Sequence, residues 1–146
     1  MKLTPHLTAA AFATALALAF AGSAAAAMSK SELKTEKDRI EAQYKSAKAA
    51  CKDMKANAKD VCMKEAKGAE KVAKAELEAR DKGTPKAQEH LRKVQAAAAY
   101  EVAKEKCDDM KGKEKSACKK DAKSAKSTTT SSAKSDMTTT KAAPAK

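Results

Sequence analysis

Apolar residues recur at helical spacing through most of this chain. Leu33, Ile40, Tyr44, Ala47, Cys51 and Met54 are separated by 7, 4, 3, 4 and 3 residues, which places them on one stripe of an α-helix. The stripe returns as Ala96, Tyr100, Ala103, Cys107 and Met110. Between the two, Cys62, Ala66, Ala69, Ala73 and Leu77 line a further helix, mostly with alanine. Polar stretches interrupt the pattern near residues 55–60 and 111–116. Asn57 and Gly112 suit the left-handed position that ends a helix, and Asp60 and Ser116 suit the N-cap of the next. At Gly83-Thr84-Pro85, the glycine ends one helix, the threonine caps another and the proline fits its first turn. The predicted elements are helices over about 29–55, 60–80, 85–111 and 116–125. Beside its seam the third carries a second stripe of Leu91, Val94, Ala98 and Val102.

Two of these stretches are copies of each other. Residues 44–67 and 100–123 align at an offset of 56, with 12 of 24 positions identical, among them Tyr44/Tyr100, Cys51/Cys107, Met54/Met110 and Cys62/Cys118. In an unbroken helix the 11 residues from Cys51 to Cys62 would span about 16 Å at ~1.5 Å per residue. That is far beyond the ~7 Å Cα limit of a disulfide. If the chain reverses between them, the two cysteines become equidistant from the turn on antiparallel helices, and the same holds for Cys107 and Cys118. The spacing therefore favours disulfides Cys51–Cys62 and Cys107–Cys118. The alternative is long helices with four buried free thiols. The expected fold is all-α, with two antiparallel, disulfide-stapled, coiled-coil-like hairpins over residues 28–123.

The ends differ in composition. Residues 1–27 read as a secretory signal peptide: Lys2 is the only charge, an uncharged Ala/Leu/Phe run follows, and small residues precede a cleavage point between Ala27 and Met28. Export to the periplasm would permit the disulfides. Residues 124–146 contain no Leu, Ile, Val or aromatic residue, and 11 of the 23 are Ser or Thr. They are expected to form a disordered basic tail. Between leader and tail, residues 29–123 hold only 13 large apolar side chains, a thin core that calls for staples. On the exposed faces, Glu41–Lys45, Asp60–Lys64, Glu70–Lys74, Glu89–Lys93 and Asp109–Lys113 are spaced for ion pairs four residues apart.

The formal charge is +12, or +11 once Lys2 leaves with the leader, and this favours anionic partners. Catalytic patterns are missing. His90 is the single histidine after the leader, and no nucleophile or carboxylate is arranged about it. Phosphate loops, CxxC, HExxH and calcium-loop motifs are absent. Cys51 with Met54, and Cys107 with Met110, are of a type that binds Cu(I), but both pairs fall on the apolar stripe, where Cys and Met are ordinary core residues. No enzyme activity, cofactor, metal or small-molecule substrate is expected. The tail is similar in composition to the Lys/Ala/Ser/Thr tails of linker-histone-like proteins, yet no stacking platform or recognition module accompanies it.

The pattern Y-x2-A-K-x2-C-x-D-M-K…K-x2-C-x-K-x-A-K, in Ala/Lys/Glu-rich helices, resembles a group of small exported proteins of Gram-negative bacteria. These are sometimes labelled Tol-like cell-envelope biogenesis proteins. The resemblance implies an exported helical protein and brings no activity with it. The function expected is structural or binding, by electrostatic association with anionic polymers of the envelope. The alternatives are a periplasmic stress protein acting through thiols or metal and, for an unexported product, a histone-like nucleic-acid binder.

Overall fold

The computed structural model describes the backbone over residues 28–141 and the side chains over 28–135. The signal-peptide reading of residues 1–27, and with it Ala27 of the cleavage pair, lies outside the described residues; Met28 precedes the first helix. Four α-helices follow in order: α1 (Lys30–Ala50), α2 (Ala56–Lys82), α3 (Pro85–Lys106) and α4 (Gly112–Lys141). A single 3-10 turn, Cys107–Asp109, precedes α4.

Local chemistry sets several of the ends. Ser29 caps α1 in a reciprocal box: its hydroxyl accepts from the Glu32 N–H, and the Glu32 carboxylate accepts from the Ser29 N–H. Gly83, at φ 58°, ends α2 in the left-handed region. The Thr84 hydroxyl accepts from the Ala87 N–H, and Pro85 opens α3.

The two stapled hairpins are α1–α2 and α3–α4. Cys51 is joined to Cys62 and Cys107 to Cys118, with Cα separations of 5.6 and 5.7 Å. Cys51 and Cys107 are fully buried. The turns come earlier than expected. α1 stops at Ala50 and α2 starts at Ala56, because Cys51 must leave the helix for the chain to reverse within reach of Cys62. The left-handed residues are Ala56 (φ 49°) and Gly112 (φ 54°), which are equivalent in the repeat. Asn57 instead lies in the first turn of α2, its amide nitrogen buried without a partner. Met54 and Met110, assigned above to the apolar stripe, fall past the helix ends and are exposed at 43% each.

The boundary between helix and tail also differs. Composition sets it near 124, whereas α4 carries on through Lys141. The hydroxyls of Thr128, Thr129, Thr130 and Ser132 donate to carbonyls four residues back, at 3.0–3.1 Å. This local bonding satisfies side chains that would otherwise compete with the helix backbone. Ala133 is buried at 1% exposure, and the Lys126 ammonium sits 4.8 Å from the Tyr100 ring centroid. The segment therefore has a wall, α3, to pack on. Residues 142–146 lie outside the described residues.

Only consecutive helices pack along their lengths. The buried positions explain this. On α2, Ala66 and Leu77 form one group and Gly68, Ala75 and Ala79 another; at 3.6 residues per turn the groups face opposite ways. On α3, Ala87 and Ala96 are nine residues apart, two and a half turns, and again point oppositely. α1 buries only Ile40. The inner helices thus have two contact stripes and the outer helices one. The four helices form a single layer, α1–α2–α3–α4, with two broad faces. At its centre, α2 and α3 approach closely where Gly68 meets Ala98: a Cβ built on Gly68 would lie 3.2 Å from that of Ala98.

Candidate functional site

The two broad faces are chemically unlike. On α2, Lys64, Lys67, Lys71 and Lys74 follow steps of 3, 4 and 3 and share one stripe. The furrow between α2 and α3 on this side is lined by Lys64, Lys67 and Lys71 opposite Val94, Ala97 and Glu101. The furrow between α1 and α2 on the same side holds Lys37 and Glu41 against Lys74, Glu78 and Lys82. Toward the α2–α3 turn, Lys86 and His90 continue it. At helical spacing Lys30 and Lys34 join Lys37, Lys93 and Lys104 join Lys86, and Lys123 of α4 is the repeat equivalent of Lys67. This side of the layer is a lysine face.

Some of these ammonium groups are paired. Lys74 bonds Glu70 at 2.6 Å, Lys82 bonds Glu78 at 2.6 Å and Lys34 bonds Asp38 at 2.8 Å. Each of these three lysines is pushed above the ordinary lysine value, chiefly by that hydrogen bond. Lys64 bridges to α3, 3.6 Å from both Glu101 and Glu105, and so is drawn away from Asp60, its expected partner. Lys67, Lys71, Lys37, Lys86 and Lys104 have no acidic partner among the described residues. Lys67 and Lys71 therefore stand unneutralised over the central furrow.

The opposite face is lysine-poor. Its central furrow is lined by Ala69, Val72, Gln95, Ala99 and Val102, with Glu65 and Lys106 at one end held together at 3.0 Å. Along the stripe that contains Ala69 and Val72 come Glu76 and Arg80. Glu36 of α1 accepts from both Arg39, at 2.8 Å, and Arg80, at 3.3 Å. These bonds, that from Arg39 foremost, hold the Glu36 carboxyl below its ordinary value.

The residues singled out by sequence are distributed as follows. The four cysteines are brought together in their two pairs as disulfides. This is consistent with an oxidising, extracytoplasmic location. Of the expected ion pairs, Glu41–Lys45, Glu70–Lys74 and Glu89–Lys93 form. Asp109–Lys113 does not, because the chain turns between them; Asp108 instead takes Lys115 and Lys119, both at 2.7 Å. His90 is exposed on α3. Among the described residues no three His, Cys, Asp or Glu side chains converge as metal ligands, and no helix is long and apolar enough to cross a membrane. The lysine face was missed by motif reading. Its signal is the 3–4 spacing of the lysines themselves, which means something only once each helix's contact stripes are known.

No protein-family model, no curated protein and no solved structure matches the chain.

Proposed function

We propose that this is a non-enzymatic protein of the periplasm, exported by a leader cleaved between Ala27 and Met28. On this reading it associates electrostatically with anionic polymers of the cell envelope through its lysine face. The observation that carries the reading is the pair Lys67 and Lys71, unneutralised on a face to which all four helices contribute lysines. A single layer four helices wide is about 40 Å across, at ~10 Å between axes, which suits an extended polymer better than a compact ligand. Lysine also suits loose attachment. It is a strongly hydrated point charge without the planar fork that selects one anion geometry. The leader-like residues 1–27, the two disulfides and the resemblance to exported Gram-negative proteins support the compartment.

The test is co-sedimentation with isolated anionic envelope polymer across a salt series. Attachment should weaken steeply above physiological ionic strength, where the screening length falls below ~8 Å. Lys67→Gln with Lys71→Gln should weaken it about tenfold, taking up to ~1 kcal/mol per exposed charge contact. Lys52→Gln with Lys111→Gln removes the same charge at the turn end of the layer and should change it far less. Equal effects of the two pairs, or attachment indifferent to salt, would contradict a dedicated face.

A further inference from the structure

A helix layer one element thick has two faces to satisfy, and the lysine face accounts for one. Protein domains bury their apolar stripes between two layers, whereas the described residues form one. On the lysine-poor face, Val72 and Val102 are only half-buried and Ala69 and Ala99 are exposed, all lining one open furrow between α2 and α3. We infer that this face is covered by a second copy of the chain, packed face to face about a two-fold axis.

Three observations select a second copy as the occupant. The first is charge. A chain at +12 repels itself unless it meets itself on a balanced surface. This face is close to balanced: Glu36, Glu65 and Glu76 stand among Arg39, Arg80, Arg92 and Lys106, one positive charge in excess. Glu36 and Glu65 already take partners from the same face, so little net charge is left there to repel a second copy. The second is area. The α2–α3 pair alone presents roughly 20 Å by 35 Å, about 700 Å², and the flanks of α1 and α4 carry it past the ~800 Å² per partner of a stable interface. The third is side-chain size. Ala69 and Ala99 allow helices to approach closely, with the valines as the larger knobs. The assembly would be a two-layer, eight-helix sandwich with a lysine face on each outer surface. Such a dimer could engage two polymer strands at once.

The measurement is sedimentation equilibrium of the oxidised protein without polymer, so its outcome is independent of the binding reading above. Twice the single-chain mass is expected at concentrations of tens of micromolar, persisting at high salt because the contact is apolar at its centre. Ala69→Glu and Ala99→Glu lie at positions exposed in the single chain, so each should leave the helical circular-dichroism signal intact and weaken self-association at least tenfold. A single-chain mass for the unmodified protein at about 100 µM would overturn the inference. A dimer untouched by both substitutions would overturn it as well.

Discussion

At the scale of single residues, two positions that the repeat makes equivalent carry different side chains. Ala56 and Gly112 both open a helix at positive φ, 49° and 54°. A left-handed residue with a Cβ costs roughly 1 kcal/mol that glycine avoids. Ala56→Gly should therefore stabilise the first hairpin by about 1 kcal/mol, and Gly112→Ala should destabilise the second by a similar amount. Denaturant midpoints measured with both disulfides intact check the pair, and like-signed shifts would contradict the turn geometry. A second residue-scale difference is Asp108, whose counterpart in the first copy is Lys52. Hydrogen bonds from Lys115 and then Lys119 pull the Asp108 carboxyl down to about 2. A depressed acid contributes fully above its unfolded value, ~3.9, and loses that contribution as pH falls through its folded value. The clamp between the second turn and α4 should thus persist through pH 4 and release near pH 2. Carboxyl chemical shifts should show a midpoint near 2 that returns toward the ordinary value in Lys115→Gln with Lys119→Gln. An unshifted midpoint in the unmodified protein would sink the clamp.

At the scale of elements, much of the fold could be read directly. The repeated cysteine spacing favours a chain that turns between partners, and it does turn; Gly83, Thr84 and Pro85 mark the α2–α3 junction where it occurs. The turns themselves were misplaced by a few residues, because Met54 and Met110 have helical spacing from the cysteines yet sit past the ends of α1 and α3. Spacing alone cannot tell the last turn of a helix from the loop after it. The C-terminal boundary was misplaced for a different reason. Ser and Thr depress helix propensity on average, but in α4 their hydroxyls bond back onto the helix, and Tyr100 and Ala96 of α3 offer a surface that the segment's own composition does not reveal. Deleting residues 124–146 should therefore lower the mean-residue helical signal of the remaining protein by no more than a trace but remove about 18 residues' worth of total helicity. It should also lower the melting temperature by uncovering Tyr100. A truncated protein that keeps the full helicity and melting temperature would show that the segment neither folds nor packs.

At the scale of the whole molecule, the repeat describes each hairpin and says nothing about how one hairpin sits against the other. That relation is set by Gly68 against Ala98 and by the second stripe of α3, Leu91, Val94, Ala98 and Val102. The stripe was visible in the sequence, but its partner was not. Once α2 and α3 are known to carry contact stripes on opposite sides, the single layer follows, and with it the separation of lysines from arginines onto two faces. The net charge was legible from composition; its one-sidedness was not, because a lysine count carries no direction. On the function proposed above, this one-sided lysine face is where the protein meets anionic polymer. The most direct measurement is acetylation of lysine amines in the oxidised protein, with and without bound envelope polymer, read residue by residue by mass spectrometry. Protection should concentrate on Lys37, Lys67, Lys71, Lys86 and Lys104, leaving Lys52, Lys106 and Lys111 as reactive as in the free protein. Protection spread evenly over all lysines, or centred on Lys106, would contradict it.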